Sequence, residues 1–199
     1  MEKQEENQVK ERMTEAFVFL NEGFEEIEAL TVLNILRRGG VEVESVSLTD
    51  NIIVKGGKGI SVQADRLFSN SSVNGSMVNK SESANLMLIM PGGPGTKNYY
   101  NCDGFETLIK NHCSNGGCIA AICAAPTVLD KWGLLDNKTA VCYPSLELQN
   151  AKTGNNPVEV DGNIITSKGP ATSIAFALEI LNILRSQEKA DEISRQLLL

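Results

Sequence analysis

Histidine is almost missing from this sequence: His112 is the one such residue in 199. With a single histidine and no Cys-x-x-Cys pair, no zinc site is expected. Positive charge is also short. The formal net charge of −7 speaks against nucleic acid or an anionic membrane as a principal partner. No apolar run approaches the ~20 residues of a membrane span, and the first fifteen residues are charged rather than signal-like. A cytoplasmic, reducing setting is therefore expected, with the five cysteines as free thiols. No internal repeat and no interdomain linker can be read. Residues 1–15 are polar and aperiodic, and residues 16–199 are expected to form one domain, long enough to bury a sizeable core.

What is present is an alternation of strand-like and helix-like stretches. Ala16-Phe17-Val18-Phe19-Leu20 is continuously apolar, as a strand buried on both faces would be. A helix follows, with Ile27, Leu30, Leu33 or Asn34, and Leu36 read as its inward face, and Arg37-Arg38-Gly39-Gly40 as its stop. Residues 41–48 read as a second strand, completing a β-α-β unit that should be parallel and right-handed. Residues 52–54 and 60–62 flank Lys55-Gly56-Gly57-Lys58-Gly59 and predict a hairpin off the main sheet. Residues 69–83 are rich in Ser and Asn and read as a long loop, either a lid or a tolerated surface insertion.

Leu86-Met87-Leu88-Ile89-Met90 is another apolar strand, ending in Pro91-Gly92-Gly93-Pro94-Gly95. No Gly-Lys-Ser/Thr follows, so this is no phosphate-binding P-loop, but Gly-Gly after a parallel strand lets backbone N–H groups approach a ligand. A helix over residues 105–115 should turn Leu108, Ile109 and His112 or Cys113 to one side. Residues 139–142 read as a short strand stopping at Tyr143-Pro144, and Asp161-Gly162 between two short apolar runs predicts a hairpin. A long helix with Ile174, Leu178, Leu181 and Leu184 at helical spacing and a last helix over 188–198, with Ile193 and Leu197 inward, close the chain. The pattern argues an α/β fold, a doubly wound three-layer sandwich with a mostly parallel sheet. Sites in such folds lie beyond the carboxyl ends of the strands, where Glu28, Gly92-Gly93 and Cys123 all fall.

The stretch Gly117-Cys118-Ile119-Ala120-Ala121-Ile122-Cys123-Ala124-Ala125-Pro126-Thr127 has the outline of a nucleophile elbow: strand, sharp turn, helix. Pro126 suits the first helical turn, and small residues two before and two after Cys123 (Ala121 and Ala125) relieve crowding there. At a helix N-terminus the dipole and free N–H groups would favour thiolate. The alternative is a buried core cysteine, a common fate for the residue type.

Four stretches in order, Phe24-Glu25-Glu26-Ile27-Glu28, Met90-Pro91-Gly92-Gly93, residues 120–126 and Thr166-Ser167-Lys168-Gly169-Pro170-Ala171-Thr172, resemble the ThiJ/PfpI superfamily, and within it the parkinsonism-associated deglycase branch with its bacterial ThiJ-like relatives. The resemblance runs from about Ala16 to the C-terminus. It implies a flavodoxin-like fold, a homodimer and Cys123 as the reactive centre, with Glu28 hydrogen-bonded to it. It further implies an oxyanion pocket from the backbone N–H groups of Gly93 and Ala124, bordered by Gly92, Tyr143, Gly169 and Pro170. The activities it implies are cofactor-independent conversion of 2-oxoaldehydes such as methylglyoxal to hydroxy acids and deglycase-like repair. Oxidative-stress sensing through Cys123 and chaperone-like behaviour are the alternative. Two departures stand out: Tyr143-Pro144 where several relatives carry histidine before proline, and Asn34 where relatives often have aspartate beside the residue matching Arg38.

Chemistry at Cys123 has to proceed without histidine. His112 lies on the helix before the elbow strand, at the opposite end of the sheet, roughly 15 Å away or more at about 3.3 Å per strand residue, and is expected on a helix face or at the surface. A Cys-His protease or amidotransferase is thereby disfavoured. A cysteine–carboxylate pair remains, and it serves an aldehyde only if the pair shares one proton, since an ionised Glu28 opposes thiolate formation. Glu28 could equally be an ordinary helix N-terminal carboxylate, and Tyr143 could pack at a strand end rather than line a pocket. No metal or cofactor is expected, and the partner would be a small reactive carbonyl compound.

Overall fold

The computed structural model describes residues 14–68 and 86–199. The loop read over 69–83, and all but the end of the polar tail, lie outside the described residues. The chain begins with β1 (Ala16–Leu20), every residue of it buried, and passes into α1 (Glu26–Arg38). Glu25 caps α1 by accepting from the Glu28 amide at 2.8 Å, and Arg37 and Arg38 complement the dipole in the last turn. Then come β2 (Val43–Ser47), the hairpin β3 (Ile53–Lys55) with β4 (Ser61–Gln63), and β5 (Arg66–Leu67). After β6 (Met87–Met90), a 3-10 helix (Thr96–Asn101) and α2 (Phe105–Ser114) lead to β7 (Cys118–Ile122) and α3 (Pro126–Lys131). Two short strands, β8 (Thr139–Ala140) and β9 (Lys152–Thr153), form a small parallel pair. The hairpin β10 (Val158–Asp161) and β11 (Ile164–Ser167), then α4 (Ser173–Leu184) and α5 (Gln187–Gln196), complete the chain.

Among the described residues the main sheet runs β10-β11-β7-β6-β1-β2-β5. All its pairings are parallel except β10 with β11, turned by Asp161-Gly162 as the sequence predicts. One apolar layer, with Val18, Leu20, Leu36, Phe176 and Ile180, lies between the sheet and α1, α4 and α5. The other, with Phe19, Met90, Tyr99, Phe105 and Leu129, lies under α2, α3 and the 3-10 helix. This is the expected flavodoxin-like three-layer α/β/α sandwich. Each large side chain fully buried this way contributes about 1.5–3 kcal/mol relative to exposure. Among the described residues no helix is long and apolar enough to cross a membrane.

Two sequence expectations are corrected. On α1 the buried face is Ala29, Val32, Leu33, Ile35 and Leu36, while Ile27 and Leu30 are exposed, because the helix is phased to carry Glu26 and Glu28 inward. On α4 the inward residues are Phe176, Ala177, Ile180 and Leu181, and Ile174 points outward. His112 lies on the buried face of α2 with Leu108 and Ile109, the helix-face placement that the sequence offered, and not at the surface. Both partners of its Nε2 are carbonyls, Leu86 at 3.0 Å and Cys118 at 3.2 Å, so Nε2–H is the donor to both. Asn34 accepts from Arg38 Nε at 2.8 Å within α1.

Candidate active site

Three consecutive strands of the sheet, β1, β6 and β7, deliver the site at their carboxyl ends. Cys123 directly follows β7, and its φ of 65° is one of three positive values for non-glycine residues among the described residues. A side chain held there is strained by about 1–3 kcal/mol and needs its surroundings to fix it. They do. The Cys123 amide donates to the Ser167 carbonyl of β11 at 2.9 Å, and its carbonyl accepts from the Tyr143 amide at 2.7 Å. Ala121 and Ala125, both fully buried, leave the turn room. Pro126 opens α3 as the elbow pattern predicts. Cys123 is therefore both buried, as the core reading required, and at a strained elbow, as the reactive reading required.

Glu28 is fully buried in the first turn of α1. Its Oε2 accepts the Gly92 amide at 2.7 Å, its Oε1 is buried without a hydrogen-bond partner among the described residues, and the carboxyl lies near enough to Cys123 for each to shift the other's ionisation. A capping carboxylate on the surface would do none of this; that plainer role belongs to Glu25. Burial pushes the Glu28 carboxyl up to about 7, and the negative charge of Glu25 adds to the rise, whereas the bonds from Cys123 and Gly92 hold it down. Cys123 is pushed up to about 12 by burial first, then by the charge of Glu28 and the bond to it. The Ala124 and Gly93 amides, both bonded to the cysteine sulfur, favour the thiolate but are outweighed. The helix N-terminus alone thus does not produce a free thiolate. Between these two values the pair holds one proton, and it titrates as a unit.

The loop after β6 supplies the rest. Gly93 has φ of 106°, and a Cβ there would stand 2.5 Å from the Glu25 amide, so glycine is required for its N–H to reach the sulfur. Gly169 lies close to both Tyr143 and the sulfur: a methyl group on it would lie 3.3 Å from the Tyr143 ring and 3.8 Å from Cys123 Sγ. Pro170 follows at the start of a 3-10 turn braced by Thr172, whose hydroxyl donates to the Gly169 carbonyl at 2.8 Å. Tyr143 is 44% exposed and also lines an open cleft of about 490 Å³ with Val141, Cys142, Leu146 and Lys168. His112 takes no part. It spans the start of β6 and β7, the opposite end of the strands.

One further residue escapes sequence reasoning. Tyr99, fully buried in the 3-10 helix, donates its hydroxyl to the Pro91 carbonyl at 2.7 Å. Nothing in Thr96-Lys97-Asn98-Tyr99-Tyr100-Asn101 tells which tyrosine turns inward. Among the described residues no cluster of His, Cys, Asp and Glu suits a metal ion.

The model of the DJ-1/PfpI family matches residues 14–183, which include every element of this site. The chain belongs to the DJ-1/PfpI family. A DJ-1 homolog A of Arabidopsis thaliana is 37% identical over 183 residues, 89% of this chain, which spans 44% of that protein's length. A glutathione-independent glyoxalase, DJR-1.2 of Caenorhabditis elegans, is 31% identical over 89% of this chain and 92% of its own. Among solved structures, oxidized Toxoplasma gondii DJ-1 superposes with a TM-score of 0.81 at 34% identity, covering 92% of this chain and 97% of that one. The DJ-1/PfpI assignment accords with the elbow at Cys123 and the parallel sheet beneath it.

Proposed function

We propose that this protein is a cofactor-independent glyoxalase, with deglycase-like activity on related adducts, acting on small 2-oxoaldehydes through Cys123 and Glu28. The observation that carries the reading is the convergence on one buried sulfur of a carboxyl group and the amides of Gly93 and Ala124. The C. elegans relative named as a glyoxalase supports it.

Within the proton-sharing pair, the reactive form has the proton on Glu28 and the charge on sulfur. The thiolate adds to the aldehyde carbon of methylglyoxal, and the Gly93 and Ala124 amides stabilise the oxyanion. Glu28 gives its proton to that oxygen, leaving a hemithioacetal. As carboxylate, Glu28 then takes the hydrogen from the same carbon as a proton and returns it to the neighbouring carbon, while the proton of the hemithioacetal hydroxyl passes to the ketone oxygen, which becomes the hydroxyl as the former aldehyde oxygen becomes the thioester carbonyl. The product is a lactyl thioester. One water hydrolyses it, releasing lactate and the thiol. With His112 remote, Glu28 serves as both acid and base, and slow turnover is expected. The test is lactate formation from methylglyoxal in metal-free buffer: Cys123→Ala and Glu28→Ala should abolish it with folding intact. No lactate above the background of those variants overturns the reading.

The second reading is a redox sensor. A sulfinate on Cys123 would meet the same two amides and the Glu28 carboxyl, and the T. gondii relative has been solved oxidized. Mild peroxide and intact mass would find two oxygens on Cys123 selectively. The five free cysteines suit a reducing compartment such as the cytoplasm. Exposed Ile27 and Leu30 on α1, with Ile53 and Ile60 on the hairpin tied to its start through Glu26, suit burial against a second copy in a homodimer.

A further inference from the structure

The Pro91–Gly92 peptide group is bonded at both ends. Its carbonyl accepts the Tyr99 hydroxyl at 2.7 Å, and its N–H donates to Glu28 Oε2 at 2.7 Å. In a planar trans peptide these two groups point in opposite directions, so three residues stand in one line through a single amide. The next amide along, that of Gly93, is the one bonded to the cysteine sulfur. Rotation of the Pro91–Gly92 plane would therefore undo the support of Glu28 and turn the oxyanion donor away together.

We propose that Tyr99 is a positioning residue for the Cys123–Glu28 pair, locking and polarising the Pro91–Gly92 amide so that the ionised form of Glu28 is supported. Donation into the carbonyl oxygen draws electron density from the N–H, making it a stronger donor to the carboxylate. Tyr99 is built for that task. Its ring stacks on Phe105 at 5.4 Å with 16° between planes, its hydroxyl lies 3.4 Å from the Phe19 carbonyl as a weaker second acceptor, and it is fully buried. Burial raises its ionisation well above the usual tyrosine range, so it stays a donor at any physiological pH. The titratable groups facing Glu28 are Cys123 from the elbow, Glu25 from the cap of its own helix and Tyr99 itself.

The inference concerns the pair's proton and not the substrate, so it is tested without aldehyde turnover. The pH dependence of Cys123 alkylation by iodoacetamide, followed by mass, reads the loss of the pair's first proton. The infrared carboxylic acid band absent from Glu28→Gln reads the same event at Glu28. In Tyr99→Phe both midpoints should move to higher pH by about half a unit or more, because the carboxylate loses support. Site-specific 3-fluorotyrosine in place of Tyr99, a stronger donor of nearly the same shape, should move them lower. Phe105→Leu, which loosens the same packing but leaves the hydroxyl bond, should lower the melting temperature without moving either midpoint. Tyr99→Phe midpoints equal to wild type, or Phe105→Leu midpoints displaced as far, would reduce Tyr99 to a packing residue. If Tyr99→Phe does not fold, the fluorotyrosine arm decides, and an unmoved midpoint there overturns the proposal.

Discussion

Gly92 and Cys123 approach so closely that a methyl group on Gly92 would stand 2.8 Å from the cysteine Cβ and 2.8 Å from the Ala124 amide nitrogen. Both obstacles belong to the elbow, which is pinned by Ser167 and Tyr143 and cannot yield cheaply. Gly92→Ala should therefore displace the sulfur from its amide donors. A loss of about 100-fold in kcat/KM is expected, the scale of a misaligned oxyanion donor, with destabilisation of about 1–3 kcal/mol. Steady-state kinetics with a thermal melt of the same preparation measures both.

The charge of Glu28 is the second cause, after burial, of the high Cys123 ionisation. Removing that charge while keeping the shape should lower it. Glu28→Gln is thus expected to alkylate faster at Cys123 near pH 8 than wild type, yet to form no lactate. Equal or slower alkylation would mean that the carboxyl does not oppose the thiolate.

The same group sets a pH dependence of stability. Its folded value of about 7 lies above the unfolded 4.5, so between them the native state holds the extra proton. Stability from this group is complete below pH 4.5 and falls as pH rises to about 7, by about 3 kcal/mol in total. Urea unfolding of wild type and Glu28→Gln at pH 5 and 7.5 isolates it: wild type should lose stability relative to the variant at the higher pH.

His112 should matter for folding and not for chemistry. Burial lowers its ionisation below the usual 6.5, so its contribution has the opposite sign to that of Glu28, present above pH 6.5 and lost as pH falls below it. His112→Ala leaves the Leu86 and Cys118 carbonyls without their common donor and a cavity beside Gly117, at a cost of about 2 kcal/mol or more. Cys123 alkylation at neutral pH should be unchanged. A drop in it would tie His112 to the site.

The Tyr143 ring packs close to Gly169, which itself lies near the sulfur, and its amide bonds the elbow. Tyr143→Phe keeps both and should hold kcat/KM within about threefold of wild type. Tyr143→Ala opens the site to the neighbouring cleft and should raise KM for methylglyoxal about tenfold, one methylene-scale contact after another being lost. Substrate saturation curves for the two variants test it.

Much of the fold was legible because it follows from local rules. Five buried apolar residues in β1 and four in β7 read as interior strands, Gly39 and Arg37-Arg38 stopped α1, and Asp161-Gly162 turned the last hairpin. Helix phase was not legible in the same way. Ile27, Leu30 and Ile174 lie at apolar helical spacing, but the inward face of α1 is chosen by the pull of Glu28 toward Gly92 and Cys123, residues 64 and 95 positions away.

The sequence by itself determined the elbow, since only small residues around Cys123 and a proline after it permit a strand to turn so sharply. It also excluded a histidine partner, because the lone candidate precedes the strand that the cysteine ends. Only the tertiary structure decided the protonation of the pair, which depends on how completely packing removes water from two groups that compete for one charge. It alone also brought Tyr99 behind Pro91, where a hydroxyl from a 3-10 helix meets a carbonyl that the chain had already passed.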